Sequence, residues 1–324
     1  MEAFWLVEQQ QALQRAQRAG RMPHALLIHA ADGLGGELLA QYAAQLALCR
    51  AHDPPCGHCR DCQRVLAGQH PDLYLVGPLE DSKQLRIEQI RELSAELALS
   101  SHGGGAAVAI LHPADMTEAA ANALLKTLEE PRAGALIILV SAAPSTLPAT
   151  VRSRCMRLPV APPVRSATIE WLRRQRGAAD WADVLEVLGN APLRALQADP
   201  AAVARLRREC AVALGEAESG HLDIAGTAAQ WVRGEELPLR LACVENWVTG
   251  RIESLLRLPD GDAEGRTNTH LPADGAAMKI AALIRFHDSV RELARLAAKP
   301  INKGIAVEQL LWQLTRAGAA ASQA

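Results

Sequence analysis

Four cysteines lie close together in the sequence at a spacing that can hold a metal ion. They form the pattern C-x6-C-x2-C-x2-C and are Cys49, Cys56, Cys59 and Cys62. The two C-x2-C steps let short turns direct three thiolates at one point, and the Pro54-Pro55 loop can return the chain so that the first cysteine completes a tetrahedron. The pattern predicts one structural Zn²⁺ per chain, held by four thiolates.

Other chemistry at the same cysteines stays open. The alternatives are a redox pair at one C-x2-C step and an iron–sulfur cluster, which also takes four thiolates. His52 and His58 lie within the motif and could substitute as ligands, but four thiolates already fill the shell, so we expect both to face solvent. A structural zinc site contributes on the order of 10 kcal/mol to local folding, which suits a loop without a core of its own.

A glycine-bearing loop between residues 24 and 40 has the order of a phosphate-binding loop. A short apolar run, Ala25 to Ile28, is followed by a turn and then by a helical pattern. A working loop reads G-x-x-x-x-G-K-[ST]. Its backbone N–H groups surround the phosphates, its lysine contacts the β and γ phosphates, and its hydroxyl binds Mg²⁺. The order of elements makes this loop a candidate nucleotide site.

The side chains of the loop do not fit that chemistry. Its four key positions are Ala30, Gly35, Gly36 and Glu37, so a glycine stands at the lysine position and a carboxylate at the hydroxyl position. Glu37 would also place a negative charge at the helix N-terminus, where a phosphate would otherwise bind. We expect this chain to bind no ATP. An ordinary βα turn without nucleotide ancestry is the alternative that this stretch alone leaves open.

The elements that must position these residues alternate between strands and helices in the first half of the chain. Apolar runs predict five strands, at residues 25–28, 73–76, 106–111, 136–140 and about 155–158. Helical patterns accompany them within residues 1–22 and at 36–48, 87–97 and 118–129. We expect Thr117 to cap the last of these helices and Pro131 to end it. The alternation indicates a mainly parallel, doubly wound sheet.

From Pro159 onward the sequence predicts helices and no strand. Prolines at positions 159, 162 and 163 form a stiff connector. Helices are then predicted at residues 166–176, 181–188, 193–197, 201–217, 224–232, 237–256, 275–297 and 305–316, with a loop at 258–272. We therefore expect three domains: an α/β domain at 1–159, a small helical domain at 160–199 and an all-helical domain at 200–324.

Composition and charge limit the class of protein. The 324 residues are enough for two or three domains, and a composition of 49% hydrophobic but only 3% aromatic residues favours helix-rich packing. With a net charge of −2, the chain has no overall positive charge that would attract nucleic acid or anionic membranes. We find neither a basic and apolar leader nor an apolar run near the roughly 18 residues that span a bilayer. We expect a cytoplasmic protein without a membrane partner.

Two motifs resemble the clamp-loader branch of the AAA+ proteins. One is the run Asn122-Ala-Leu-Leu-Lys-Thr-Leu-Glu-Glu-Pro131, and the other is Ser153-Arg154-Cys155. The resemblance is densest over residues 22–158 and includes the cysteine motif and the altered loop. It implies an α/β AAA+ core, with a parallel five-stranded sheet, helices on both faces and a zinc module at 49–62. A small helical lid domain and an all-α collar domain would follow.

The same resemblance implies that a second part of an ATP site is lost. In an active relative, the strand before the Asn122 helix would end in an acidic pair that holds Mg²⁺ and helps to polarise the attacking water. Those positions here are Leu111 and His112, and Asp115 comes about one turn too late. Since the lysine is also replaced, nothing remains to neutralise charge on the transferring phosphoryl group. We expect no ATP hydrolysis by this chain alone.

The resemblance also implies that Arg154 acts in trans. In similar clamp loaders, the arginine between Ser153 and Cys155 enters the ATP site of the neighbouring subunit as an arginine finger. A guanidinium suits that role because it is always charged and offers a planar fork to phosphate oxygens. A surface ion pair, worth about 1 kcal/mol or less, is the alternative. We expect the flanking Arg152 and Arg157 to be solvated or structural.

The function that the resemblance implies is that of a non-hydrolysing clamp-loader subunit in a DNA polymerase III holoenzyme, which is a nucleotidyltransferase assembly. The chain would form a hetero-oligomer with ATPase subunits and a delta-type clamp-opening subunit. Through this complex it would act on a sliding clamp and primed DNA.

Two other functions stay open. One is a stand-alone zinc-containing DNA-binding protein, which would need a basic face near the cysteines. The basic residues there, Arg50, Arg60 and Arg64, are nearly balanced by Asp53 and Asp61. The other is an AAA+ ATPase with a non-standard phosphate loop, which would need a lysine or arginine from elsewhere in the chain.

Overall fold

The structure is a computed structural model that describes residues 3–79, 84–98, 105–112, 116–256, 274–297 and 301–322. The chain divides into two units. The first unit comprises residues 1–168 and 191–194, and the second comprises residues 169–190 and 195–324. The division into three domains at residues 159 and 199 stays a prediction.

A parallel sheet forms the centre of the first unit. Its five strands are β1 (Ala25–His29), β2 (Leu73–Val76), β3 (Ala107–Leu111), β4 (Ala135–Ser141) and β5 (Met156–Pro159). They lie in the order β2-β3-β4-β1-β5, and every adjacent pair is parallel. The carboxyl ends of the strands therefore lie at one edge of the sheet, which is where ligands bind in open α/β sheets.

The central strands are apolar along their whole length. Every residue of β3 and β4 is buried, in agreement with their sequences Ala-Val-Ala-Ile-Leu and Ala-Leu-Ile-Ile-Leu-Val-Ser. Such continuous apolar runs are typical of parallel strands that are covered on both faces. The outer strands β2 and β5 bury fewer residues, since each has a neighbour on one side only.

Helices connect the strands of the first unit. A short 3-10 turn, Phe4–Leu6, leads into the first of them. They are α1 (Val7–Arg18), α2 (Gly36–Leu48), α3 (Arg60–Leu66), α4 (Ile87–Ala98), α5 (Glu118–Glu129) and α6 (Ala149–Arg152). Thr117 caps α5, since its hydroxyl oxygen accepts the N–H of Ala120 at 3.2 Å, as the sequence predicts.

Different helices cover the two faces of the sheet. On one face, Leu27, Leu111 and Leu139 pack with apolar residues of α4, α5 and α6. On the other face α2 lies so close that a Cβ on Gly36 would stand 2.8 Å from Val140 Cγ1. Successive residues of a strand point to opposite faces, so the odd-numbered residues of β1 and β4 face α5 and the even-numbered ones face α2. The predicted α/β core with helices on both faces is confirmed.

The rest of the chain is helical. Its helices are α7 (Arg165–Arg176), α8 (Trp181–Val187), α9 (Pro192–Gln197), α10 (Pro200–Glu218), α11 (Ile224–Trp231), α12 (Leu237–Leu256), α13 (Asp274–Leu296) and α14 (Lys303–Ser322). In the second unit, the large side chains of Trp181, Trp231 and Phe286 are fully buried and form part of the core. The prediction of a helical C-terminal region is confirmed.

Arg240 is a buried charge in the second unit. Its side chain is 5% exposed and donates to Glu209 Oε2 at 2.9 Å and to Glu236 Oε2 at 3.2 Å. Arg205 bonds to the same two carboxylates from the surface. Burial by itself would raise the pKa of Glu209, but the bonds from the two arginines hold this pKa below its ordinary value. This network joins α10 to the start of α12.

The predicted strands and longer helices are confirmed, with ends that differ by a few residues. The short helices α3 and α6 are not predicted, because seven and four residues are too few to show a helical period. Asp115 and the predicted loop at 258–272 lie outside the described residues. Within the described part of the chain, we find no helix with the length and apolar character needed to cross a membrane.

Replacement of Arg240 by alanine is expected to destabilise the second unit. The change leaves two carboxylates with Arg205 as their remaining partner, and we expect the free energy of unfolding to fall by about 1–3 kcal/mol. The control is Arg251→Ala, which removes a more exposed ion pair with Glu218 and should cost less than about 1 kcal/mol. Urea denaturation followed by circular dichroism measures both variants. Equal losses of unfolding free energy in the two variants would contradict the larger contribution that we expect from Arg240.

Candidate functional site

The four cysteines of the motif come together at one point in the first unit. Cys49 Sγ lies 3.7 Å from Cys56 Sγ and 3.8 Å from Cys59 Sγ. Cys56 Sγ lies 4.0 Å from Cys62 Sγ, and all four sulfur atoms lie within 4.8 Å of one another. A disulfide bond is only about 2.0 Å long, so these cysteines are free thiols or thiolates.

The arrangement of the sulfurs fits a tetrahedral metal ion. Thiolates at about 2.3 Å from a zinc ion lie about 3.8 Å from one another, which is close to the observed separations. Thiolate ligands suit zinc or an iron–sulfur centre rather than Mg²⁺ or Ca²⁺. His52 and His58 are exposed, and the ring of His58 bonds instead to the backbone oxygen of Cys56 at 2.7 Å. The four cysteines can hold a metal ion, and zinc is compatible with them.

Local backbone structure explains how a short segment gathers four sulfurs. Cys49 directly follows α2, and Cys59 caps α3, its sulfur accepting the N–H of Cys62 at 3.4 Å. Gly57 has a φ of +74°, a left-handed conformation that turns the chain. The N–H of Cys59 also donates to Cys56 Sγ at 3.3 Å, and this bond, together with a backbone hydrogen bond from His58, lowers the pKa of Cys56 to about 6. Each C-x2-C step is thus a turn that brings an N–H to a sulfur.

Two polar residues outside the motif fix the cysteine module, residues 49–62, to its surroundings. Gln45 on α2 donates to the backbone oxygen of Cys62 at 3.1 Å. His70 is buried just before β2, accepts the N–H of Asp72 at 3.1 Å and lies 3.5 Å from the carboxylate of Asp61. The sequence does not single out either residue, because a lone glutamine or histidine carries no spacing signal.

The glycine loop after β1 is covered by other parts of the first unit. Leu193 donates its N–H to the oxygen of Gly33 at 3.1 Å. A Cβ on Gly33, whose φ is +81°, would stand 2.6 Å from Arg194 Cγ. Trp5 Nε1 donates to the oxygen of Leu34 at 2.8 Å. Residues 191–194 and the N-terminal residues therefore lie directly against the loop.

The four key loop positions are either buried or negatively charged. Ala30 and Gly36 are buried, and Gly35, with a φ of +88°, would place a Cβ 3.2 Å from Leu6 Cδ1. Glu37 is more than half exposed, and its carboxylate lies 3.4 Å from His112 Nε2. His112 holds the position where the resemblance leads us to expect an acidic residue. The altered hydroxyl position and the altered acidic position thus contact each other.

Arg154 lies just after α6 with its guanidinium at the surface. Its side chain is 35% exposed, and Nη2 lies 2.5 Å from Glu129 Oε1 at the end of α5. Nη1 donates to the backbone oxygen of Thr150 at 2.9 Å and lies 3.5 Å from Ser153 Oγ. Cys155 is buried behind the motif, and burial raises the pKa of its thiol to about 11. The guanidinium is held in a defined position, whereas Cys155 is a packing residue.

These features define the class of the protein. The structure brings the four cysteines together and Glu37 to His112, while Arg154 forms a separate group with Glu129. A five-stranded parallel sheet with helices on both faces, a glycine loop after β1, the four-cysteine group and a helical C-terminal region give the chain an AAA+ fold.

Comparison with known proteins then identifies the family. Residues 6–163 match the family described as DNA polymerase III, delta subunit. The chain is 33% identical over 242 residues to DNA polymerase III subunit delta' of Pseudomonas aeruginosa, which covers 73% of this chain and 72% of that protein. It is 40% identical over 174 residues to DNA polymerase III subunit delta' of Escherichia coli. The chain belongs to the family of the DNA polymerase III delta' subunits.

The family match covers the α/β part of the chain. The match to the Escherichia coli protein includes 53% of this chain and 52% of the relative, so the chain spans about half the length of that relative. Among solved structures, a DNA polymerase III gamma subunit-related protein from Thermotoga maritima matches with a TM-score of 0.47 and 17% identity. That match covers 94% of this chain and 99% of the other.

Gly36→Ala is expected to destabilise the first unit. The new Cβ would stand 2.8 Å from Val140 Cγ1 and 3.0 Å from Ala30 Cβ, and we expect a loss of about 1–3 kcal/mol in unfolding free energy. The control Gly250→Ala, on α12 with no atom within 4 Å, should stabilise by up to about 1 kcal/mol. Urea denaturation measures the unfolding free energy of both variants. A neutral Gly36→Ala would be inconsistent with the close packing of α2 on the sheet.

Proposed function

We propose that this chain is a non-hydrolysing subunit of the DNA polymerase III clamp loader and supplies Arg154 to the ATP site of a neighbouring subunit. The observation that carries this proposal is a difference in exposure between the chain's own phosphate loop and the guanidinium of Arg154. The loop that would bind the chain's own nucleotide is covered by Leu193 and Arg194, whereas the guanidinium of Arg154 stands at the surface. Membership of the delta' family supports the same role.

Loss of catalysis in cis follows from the side chains around the loop. Phosphoryl transfer needs a cation on the β and γ phosphates and a Mg²⁺ ion held by oxygen ligands. Gly36 supplies no cation, and Glu37 adds negative charge where phosphates would bind. His112 offers an imidazole, which is a poor ligand for Mg²⁺, in place of a carboxylate. The chain would therefore contribute to hydrolysis only through a partner.

Arg154 fits a role in trans because its guanidinium is held but not buried. A carboxylate and a phosphate present oxygens to the guanidinium fork in similar ways, so phosphate oxygens of a neighbour can replace the carboxylate of Glu129. In this proposal Glu129 is a positioning residue. It keeps the guanidinium extended from the end of α6 until the subunits assemble, which lowers the cost of ordering a long side chain.

We assign a structural zinc ion to the four cysteines. Four thiolates would leave no open position on the metal, so a bound ion would stabilise the fold and carry out no catalysis. Cys49 adjoins α2, Cys62 lies in α3, and His70 contacts Asp61 next to the module. These contacts fix the module to α2 on one side and to the start of β2 on the other.

The charges of the module weigh against a stand-alone DNA-binding function. Arg50 lies 3.6 Å from Asp61, and Arg18 lies 2.8 Å from Asp53. Phosphate binding depends on cations that can release counterions from DNA. Because these arginines already face carboxylates, the module presents little net positive charge to a DNA backbone.

In this proposal the chain works as part of a hetero-oligomer. Its partners would be ATPase subunits and a delta-type clamp-opening subunit, and the assembly would load a sliding clamp onto primed DNA in the cytoplasm. Residues 160–199 would form the lid domain, and residues 200–324 the collar through which the subunits associate. Exposed apolar side chains on α13 and α14, among them Ile284, Ile305 and Trp312, offer contact area for this association.

Cys59→Ser is expected to remove the metal from the chain. The wild-type protein should carry about one zinc ion per chain, and the variant should carry little and unfold at lower temperature, because the ion contributes to folding. Elemental analysis and thermal denaturation measure the two effects. Cys243→Ala, at a buried cysteine in α12, is the control and should keep its zinc. An iron chromophore, or no metal in the wild type, would rule out the assignment.

Arg154→Ala is expected to lower ATP hydrolysis by a neighbouring subunit. In an assembly reconstituted with the ATPase subunits, with hydrolysis at the other sites inactivated, we expect kcat to fall by at least about a hundredfold. Arg154→Lys should restore little activity, since an ammonium group lacks the planar fork. Glu129→Gln should lower kcat by about tenfold with little change in KM, because the finger keeps its charge but loses its support.

The matched control for these variants is Arg174→Ala, which removes an exposed arginine of α7. It should leave kcat unchanged. Circular dichroism of each isolated variant checks that it folds. Normal turnover with Arg154→Ala in an intact assembly would refute the trans role, and normal turnover with Glu129→Gln alone would refute only the positioning role.

A further inference from the structure

A cleft of about 440 Å³ opens beside the carboxyl halves of β1 and β5 in the first unit. It is bounded by Leu27 and His29 of β1, by Arg157 and Pro159 of β5, and by the segment 142–145 that follows β4. Its volume lies within the range of small-molecule sites, which is about 300–1,000 Å³. Its place near the carboxyl ends of parallel strands is also where such sheets bind ligands.

The strand register explains why these residues share one cleft. Leu27 lies opposite Arg157, and His29 lies opposite Pro159. Alternate residues of a strand point to the same face, so all four belong to the face of the sheet that carries α5 and α6. The glycine loop continues into α2, which packs on the other face through Gly36. The cleft is therefore separate from the altered phosphate loop.

The cleft contains two cations, Arg152 and Arg157. Among the described residues, neither Arg152 nor Arg157 forms an ion pair, and no carboxylate lines the cleft. Nε of Arg152 is buried, and it has no hydrogen-bond partner among the residues that the structure describes. Arg154, two residues further along, is by contrast paired with Glu129. Two guanidinium groups in one cleft without an acidic partner favour an anionic ligand.

The remainder of the cleft is apolar. Leu27, Pro144 and Pro159 contribute hydrocarbon surface, and Ala142 and Ala143 leave room beside it. A bare inorganic anion would leave this surface in contact with water. A ligand that has both an anionic group and an apolar or planar body would satisfy the arginines and cover the apolar wall at the same time.

We propose that this cleft binds an organic phosphate. Arg152 and Arg157 hold the phosphate group from two sides, and the body of the ligand lies against Leu27, Pro144 and Pro159. A guanidinium fork matches phosphate oxygens, and both Arg152 and Arg157 line the cleft. The two arginines thereby have a binding role, in place of the solvated or structural role that the sequence suggests. The proposal is independent of the role of Arg154.

Calorimetric titration of the full-length chain with deoxyadenosine monophosphate and, separately, with inorganic phosphate tests this proposal. We expect the nucleotide to bind and inorganic phosphate to bind at least about tenfold more weakly. Arg152→Gln and Arg157→Gln should each weaken nucleotide binding by at least about tenfold. Arg174→Gln removes an exposed cation outside the cleft and should leave the affinity unchanged.

Each other outcome overturns a stated part of the proposal. Failure of the nucleotide to bind, or binding that neither cleft variant weakens, overturns the site. If only one of the two arginine variants weakens nucleotide binding, the shared contact with the phosphate is overturned. If the nucleotide and inorganic phosphate bind with equal affinity, the role of the apolar wall is overturned. Arg157 is exposed on an edge strand, so Arg157→Gln gives a result even if Arg152→Gln does not fold.

Discussion

The parallel register of β1 between β4 and β5 is the constraint on which the first unit depends. It places the glycine loop, His112 and the segment after β4 at the same edge of the sheet, because all strands point in one direction. It also assigns alternate residues of β1 to opposite faces. One face therefore leads to a loop that is covered by its own chain, and the other to a cleft lined by Arg152 and Arg157.

The cysteine module depends on a different source of stability. Residues 49–62 are largely exposed or half-buried, with Cys62 as their fully buried member, so apolar burial contributes little to their conformation. A hydrogen bond from Gln45 and the contact of His70 with Asp61 fix its two sides, and the four sulfurs converge between them. A segment of this kind uses ligand bonds where a larger domain would use a core.

Features that depend on local pattern can be predicted from this sequence, whereas features that depend on distant residues cannot. The strands, the long helices, the Thr117 cap and the convergence of four cysteines follow from period and spacing. The helices α3 and α6 are too short to show a period. Leu193 and Arg194 contact Gly33 from a segment far away in the sequence, and no local pattern predicts this contact. The same is true of the pairing of Arg154 with Glu129, although both lie in quoted motifs.

The contact of residues 191–194 with the glycine loop also bears on how the chain responds to the energy state of the cell. If the covered loop binds no nucleotide, as we propose, its conformation would not follow the ratio of ATP to ADP, because leucine and arginine side chains of its own chain lie against it. In an assembly whose other subunits change shape with nucleotide, such a subunit would keep one geometry through every cycle. The partners would then set the timing of clamp loading, and this chain would provide the fixed surface against which they move.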